Sequence, residues 1–164
     1  MKKLAGFLLL MLCLVRLNAQ SIDTAATVAT SGYKQAIGLK FPGGLSITYK
    51  KFVTDTHSIE GQLTEWNKGF RVAGLYEFNF YTFNNVEGLA WFVGPGAHIG
   101  FWKKQYSKDY NSSADVGIDG ILGLDYKFKD IPINVSVDWE PAVTLVGTAG
   151  FTPAYGGLAV RYTF

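Results

Sequence analysis

The chain has 164 residues, of which 48% are hydrophobic, 15% aromatic and 17% charged, with a net charge of +2. That is ample apolar material for one packed domain and excludes a disordered chain, while the near-balance of charge implies no nucleic-acid partner. The aromatic share and the 19 glycines point to an all-β protein with tight turns and aromatic belts of the kind found at membrane interfaces.

Residues 1–19 read as a secretory signal peptide. Lys2 and Lys3 precede an apolar run from Leu4 to Val15, and Asn18-Ala19 stands before Gln20 as the cleavage site, although Arg16 is unusually close to it. Cleavage there would remove Cys13, the only cysteine, so no disulfide or thiol chemistry is expected in the mature chain. Lipid attachment needs a small residue before the cysteine; Leu12 stands there, and Cys13 reads as apolar filler. Residues 20–32 read as a flexible lead-in to a domain spanning 33–164.

From residue 33 onward, period-two alternation recurs in eight segments: 33–41, 45–53, 58–66, 70–80, 89–102, 115–128, 133–142 and 155–164. The breaks between them carry turn chemistry such as Pro42-Gly43-Gly44, Thr54-Asp55-Thr56, Asn67-Lys68-Gly69 and Asn84-Asn85. The seventh segment is the clearest, with Ile133, Val135, Val137 and Trp139 alternating with Asn134, Ser136, Asp138 and Glu140. Residues 141–160 run uncharged for about the twenty residues of a membrane helix. Gly147, Gly150, Pro153, Gly156 and Gly157 oppose a helix, so a loop from Val143 to Ala154 and then a strand is expected. Segments of this length suit tilted strands that cross a bilayer, and an even number returns both ends to one side.

Which face is inside follows from bulk. The face shared with Asp138 carries Ala36, Gly38, Ala73, Ala90, Gly94, Gly96, Gly100, Gly117, Gly123, Gly157 and Ala159 among charged residues. The other carries Phe70, Val72, Tyr76, Trp91, Ile99, Leu124, Trp139, Val160 and their like, with Gly61, Gly74, Ala97 and Gly120 as its few small members. An eight-stranded barrel has room inside only for tightly fitted side chains, so the small face belongs within and the bulky face belongs in lipid. The expected fold is an eight-stranded antiparallel up-and-down transmembrane β-barrel. Aromatic residues gather at both strand ends, as two interfacial girdles require. Three residues, Leu75, Phe92 and Ile121, break the pattern on the polar face, and Pro95 inside a strand predicts a bulge at Gly94-Pro95-Gly96.

The signal peptide, the eight segments, the stretch LDYKFKDIPINVSVDWEP and the ending LAVRYTF resemble the small outer-membrane β-barrel proteins of Bacteroidetes-type bacteria. The resemblance covers essentially the whole mature chain. It implies an outer-membrane location and that fold, with lipid as surroundings, but no particular activity. Phe164 with Tyr162 is similar to the C-terminal signal that the barrel-assembly machinery reads in outer-membrane barrels.

With the small face inward, Lys34, Lys40, Lys50, Arg71, Lys127 and Arg161 share the lumen with Glu60, Glu77, Asp115, Asp119, Asp125, Asp138 and Glu140. These nearly cancel, and a closed lumen plugged by ion pairs is expected ahead of a conduction path or an active site. His98, Asp119, Arg71, Glu77, Asp138 and Arg161 are the candidate members. If Trp102 opposes Asp115 on the next strand, His98 opposes Asp119. A His–Asp pair invites a lipid-directed enzyme reading, but no Ser or Thr nucleophile stands at a suitable spacing, so the expectation is no enzyme, no cofactor and no metal site. Neither GPGAHIG nor DGILGLD has the spacing of a dinucleotide or calcium loop, and His57-Ser58 reads as a polar turn. With both termini in the periplasm, the connections 103–114 and 143–154 face outward, where Tyr106, Tyr110 and Phe151 are candidate contacts for an extracellular or envelope partner. A soluble lipocalin-like carrier is the alternative fold reading; it would need an open apolar cavity.

Overall fold

A computed structural model describes residues 32–83, 86–103, 114–147, 150–153 and 155–164. The signal-peptide reading, the lead-in apart from Gly32, and both Tyr106 and Tyr110 fall outside these residues. Among the described residues every regular element is a strand: β1 (Gln35–Pro42), β2 (Leu45–Phe52), β3 (His57–Trp66), β4 (Gly69–Phe80), β5 (Leu89–Trp102), β6 (Ala114–Lys127), β7 (Ile133–Trp139), β8 (Ala142–Val146), β9 (Gly150–Thr152) and β10 (Gly157–Thr163). β7 and β8 are two stretches of one strand, because β6 pairs with both in a single register, Leu122 opposite Trp139 and Asp119 opposite Ala142. Between them Pro141 has no N–H to give the ladder, though its carbonyl accepts from the Gly120 N–H at 2.9 Å. β9 and β10 together make the eighth strand, pairing with β8 and β7 respectively, with the register shifted by one residue between the two pairings. The result is eight antiparallel strands, each paired with its sequence neighbours and closed where β10 meets β1.

The pairing also fixes the barrel's stagger. From Ile133, partners run through Tyr162, Ile37, Tyr49, Gly61, Gly74, Ala97 and Ile118 and return to the starting strand at Val143, ten residues further along (143 − 133). A shear of ten over eight strands, at about 3.3 Å per residue and about 4.8 Å between strands, tilts the strands by roughly 40°.

Alternation sorts the side chains as bulk predicts. Ala36, Ala73, Ala90 and Ala159 are buried, whereas Leu39, Ile47, Ile118, Leu124, Val137 and Trp139 are exposed on the outer wall. Inward glycines sit where a Cβ has no room: at Gly100 it would lie 2.2 Å from an Asp115 oxygen, and at Gly123 2.5 Å from the Phe92 ring. The outward Gly61 and Gly74 have nothing within 4 Å of that position.

Several expectations are corrected. The loop expected at 143–154 is largely strand, since β8 and β9 pair as a hairpin, Val143 opposite Phe151, and prolong the wall beyond the expected end at residue 142. Glycines that oppose a helix are tolerated in a strand, and Phe151 therefore lies on β9, not on a loop. No bulge occurs at Pro95. Its register with β6 is unbroken, and with β4 it is the same on both sides, Leu75 opposite Gly96 and Phe78 opposite Val93, while the ladder skips Tyr76 and Glu77. The register instead shifts between Val116 and Gly117, against β8. His57 is the first residue of β3 rather than part of a turn.

Candidate functional site: the charged bore

The apolar exceptions and the charges together fill the interior. Leu75, Phe92 and Ile121 are not isolated defects; they pack on one another as a buried cluster inside the barrel. Gly96 and Gly123 make room for it, since a Cβ at Gly96 would lie 2.4 Å from a Leu75 methyl group. Lys50 lies with its Nζ 4.4 Å from the Phe92 ring centroid, a cation–π contact that joins the cluster to the polar network.

Toward the end of the barrel that carries the chain terminus, two cations hold three carboxylates. Arg161 reaches both Glu60 oxygens through Nη2 at 2.9 and 2.8 Å, and donates to Thr48, Asn134 and Ser136. Lys50 pairs with Glu77 at 2.8 Å and Asp125 at 3.6 Å. Neutral donors complete the shells: Tyr33 and Asn134 donate to Asp125, Ser58 to Glu77 and Gln62 to Glu60.

Toward the other end, Lys40 pairs with Asp138 at 2.6 Å and Glu140 at 3.1 Å, and Arg71 pairs with Glu140 at 2.9 Å and Asp119 at 2.7 Å. The same Asp119 oxygen lies 2.8 Å from His98 Nδ1. Arg71 stacks on Tyr155, its Cζ 4.2 Å from the ring centroid. Each of the six ion-pair candidates, His98, Asp119, Arg71, Glu77, Asp138 and Arg161, thus stands in one of these two groups.

The register that brings His98 to Asp119 differs from the expected one by two residues. Gly100, not Trp102, opposes Asp115, and His98 opposes Gly117. Gly117 makes this possible: a Cβ there would come within 2.5 Å of the imidazole, so the ring lies over the glycine and reaches Asp119 diagonally.

The expected balance of charge is also corrected. Lys34 is exposed and Lys127 half-buried, with the Lys127 ammonium donating to the backbone carbonyls of Phe128 and Ile131 at the barrel rim. Among the described residues Lys40, Lys50, Arg71 and Arg161 face seven buried carboxylates. Hydrogen bonds from hydroxyl and amide groups meet part of the shortfall, at Glu60, Glu77 and Asp125, whereas Glu77 Oε1, Asp119 Oδ2 and Asp138 Oδ2 have no hydrogen-bond partner among the described residues. Strand parity already places Ser58, Gln62, Asn134 and Ser136 inside. Tyr33 has no such signal, since it precedes β1 and turns inward where alternation would send it out.

On the outer wall Tyr162 and Phe164 are exposed and stacked at 6.3 Å, Phe80 stacks on Trp91 at 4.2 Å, and at the opposite end Phe70 stacks on Phe101 at 4.8 Å. Phe151 is 65% exposed on β9. No protein-family model and no curated protein sequence matches the chain.

Proposed function

We propose that the protein is a small outer-membrane β-barrel of the Bacteroidetes type with a closed, ion-paired lumen and a structural or loop-mediated surface-binding role. The observation that carries this reading is the inversion of the usual soluble pattern: Ile47, Val137, Trp139 and Ile118 are half exposed around the wall while Lys50, Glu60, Glu77 and Glu140 are fully buried. A wall that apolar is costly in water and favourable in lipid, and closure satisfies the backbone without leaving an edge. Ten residues at a tilt of roughly 40° span about 25 Å, the height of the apolar band of outer-membrane barrels. A soluble carrier would need an open apolar cavity, and this bore is filled by ion pairs and the Leu75, Phe92 and Ile121 cluster.

In this reading lipid surrounds the wall, Tyr162 and Phe164 present the signal for the assembly machinery, and the interior performs no catalysis. The termini face the periplasm, so protease added to intact cells cuts within 103–114. The decisive experiment is fractionation with gel mobility. The protein should partition with outer membranes and migrate faster unheated than boiled; recovery in the soluble periplasmic fraction would overturn the proposal. Planar-bilayer recording should show no stable conductance from the pure protein.

A further inference from the structure

The β4–β5 ladder skips Tyr76 and Glu77 opposite Gly94 and Pro95. Pro95 offers no N–H there, and a shallow depression opens on the exterior, lined by Ile59, Gly74, Leu75, Tyr76, Pro95 and Ala97. Leu75, which belongs to the barrel's inner apolar cluster, contributes to its floor. Gly61 and Gly74, opposite each other on β3 and β4, leave open space above it. The side of the depression nearer the chain terminus is polar. Lys51 is exposed and stands directly opposite Ile59, while His57 Nδ1 lies 2.7 Å from the hydroxyl of Tyr76.

We infer that this depression binds one anionic phospholipid, with the phosphate held at Lys51 and His57 and an acyl chain laid over Ile59, Gly74, Pro95 and Ala97. The inference rests on the membrane reading above. Two features of the site select the occupant. A hydrocarbon chain fits an apolar depression on the outer wall, and a negative headgroup complements the exposed Lys51, which lies on the strand next to the one that carries His57. Interfacial lysines favour anionic lipid by about 1 kcal/mol each, which is a preference of about fivefold.

The test uses the full mature barrel in phosphatidylcholine nanodiscs doped with phosphatidylglycerol or phosphatidylcholine carrying a diazirine on the acyl chain, with photo-adducts mapped by mass spectrometry. Adducts from phosphatidylglycerol should concentrate on Ile59, Tyr76 and Pro95, about fivefold above those from phosphatidylcholine. Lys51→Gln should remove that headgroup preference. Gly74→Leu fills the trough from a position with open space around it, so it should abolish the concentration of adducts while leaving heat-modifiable mobility intact. Insertion with adducts spread evenly around the wall, Leu122 and Leu124 included, or a pattern unchanged in Gly74→Leu, would overturn the lipid site and leave the membrane reading standing. A protein that does not insert into nanodiscs at all would overturn both.

Discussion

Replacing Arg161 with Met tests the interior network at its most connected point. The Arg161 and Glu60 side chains are each 1% exposed, and the guanidinium meets both Glu60 oxygens as well as Thr48, Asn134 and Ser136. Methionine retains much of the volume but leaves Glu60 with the Gln62 amide, at 3.0 Å, as its remaining side-chain donor among the described residues. Breaking a buried pair by removing one partner costs about 3–5 kcal/mol, because the surviving charge stays desolvated. The double variant Glu60→Gln/Arg161→Met removes that stranded charge and should be more stable than Arg161→Met alone, with a coupling of about 2 kcal/mol or more. Equilibrium urea unfolding in phospholipid vesicles, followed by tryptophan fluorescence and gel mobility, measures all four members of the cycle. If Arg161→Met costs less than about 1 kcal/mol, or the two changes simply add, then water rather than the ion pair solvates Glu60, and the account of the bore is wrong.

Four further variants can be read by the same unfolding measurement. Gly123→Val should lose about 1–3 kcal/mol by driving a side chain into the Phe92 ring, 2.5 Å from the new Cβ, whereas Gly61→Ala should stay within about 1 kcal/mol of the parent. Phe92→Ala should cost about 3–5 kcal/mol, since it empties the centre of the apolar cluster; a loss below about 1 kcal/mol would mean that the cluster is not close-packed. His98→Ala removes one of the two partners of an Asp119 oxygen, which Arg71 also engages at 2.7 Å, and should cost about 1–3 kcal/mol. The envelope lipid profile should not change in His98→Ala cells, and a changed profile would revive the enzymatic reading of the His98 and Asp119 pair.

How far the site could be read in advance depends on the kind of residue. Lys40, Arg71, Glu77, Asp138 and Arg161 follow from parity alone, because in a strand the choice of face is binary once one face is known to be inside. Their partners do not follow. Lys40 with Asp138, and Arg71 with Asp119, join strands distant in sequence across the bore, and a register error of two residues keeps every side chain on its correct face while changing every neighbour. That is how the His98 and Asp119 contact arises from a pairing other than the expected one. The hairpin of β8 and β9 was illegible for a different reason: its glycines and Pro153 carry loop chemistry, and pairing with β6 on one side and β9 on the other holds Val143 and Thr144 in the wall.

Composition and alternation by themselves determined that the chain is all-β, that its strands form one closed sheet of eight, and that bulky side chains lie outside with small and charged ones within. Those properties depend on local geometry and on volume, both of which are written residue by residue. The tertiary structure decided the shear of ten, the division of the bore into two ion-paired groups, the grouping of Leu75, Phe92 and Ile121, and the exclusion of Lys34 and Lys127 to the rim. Each of these depends on which residues meet across the barrel, and that is settled only when closure imposes one register on all eight strands together.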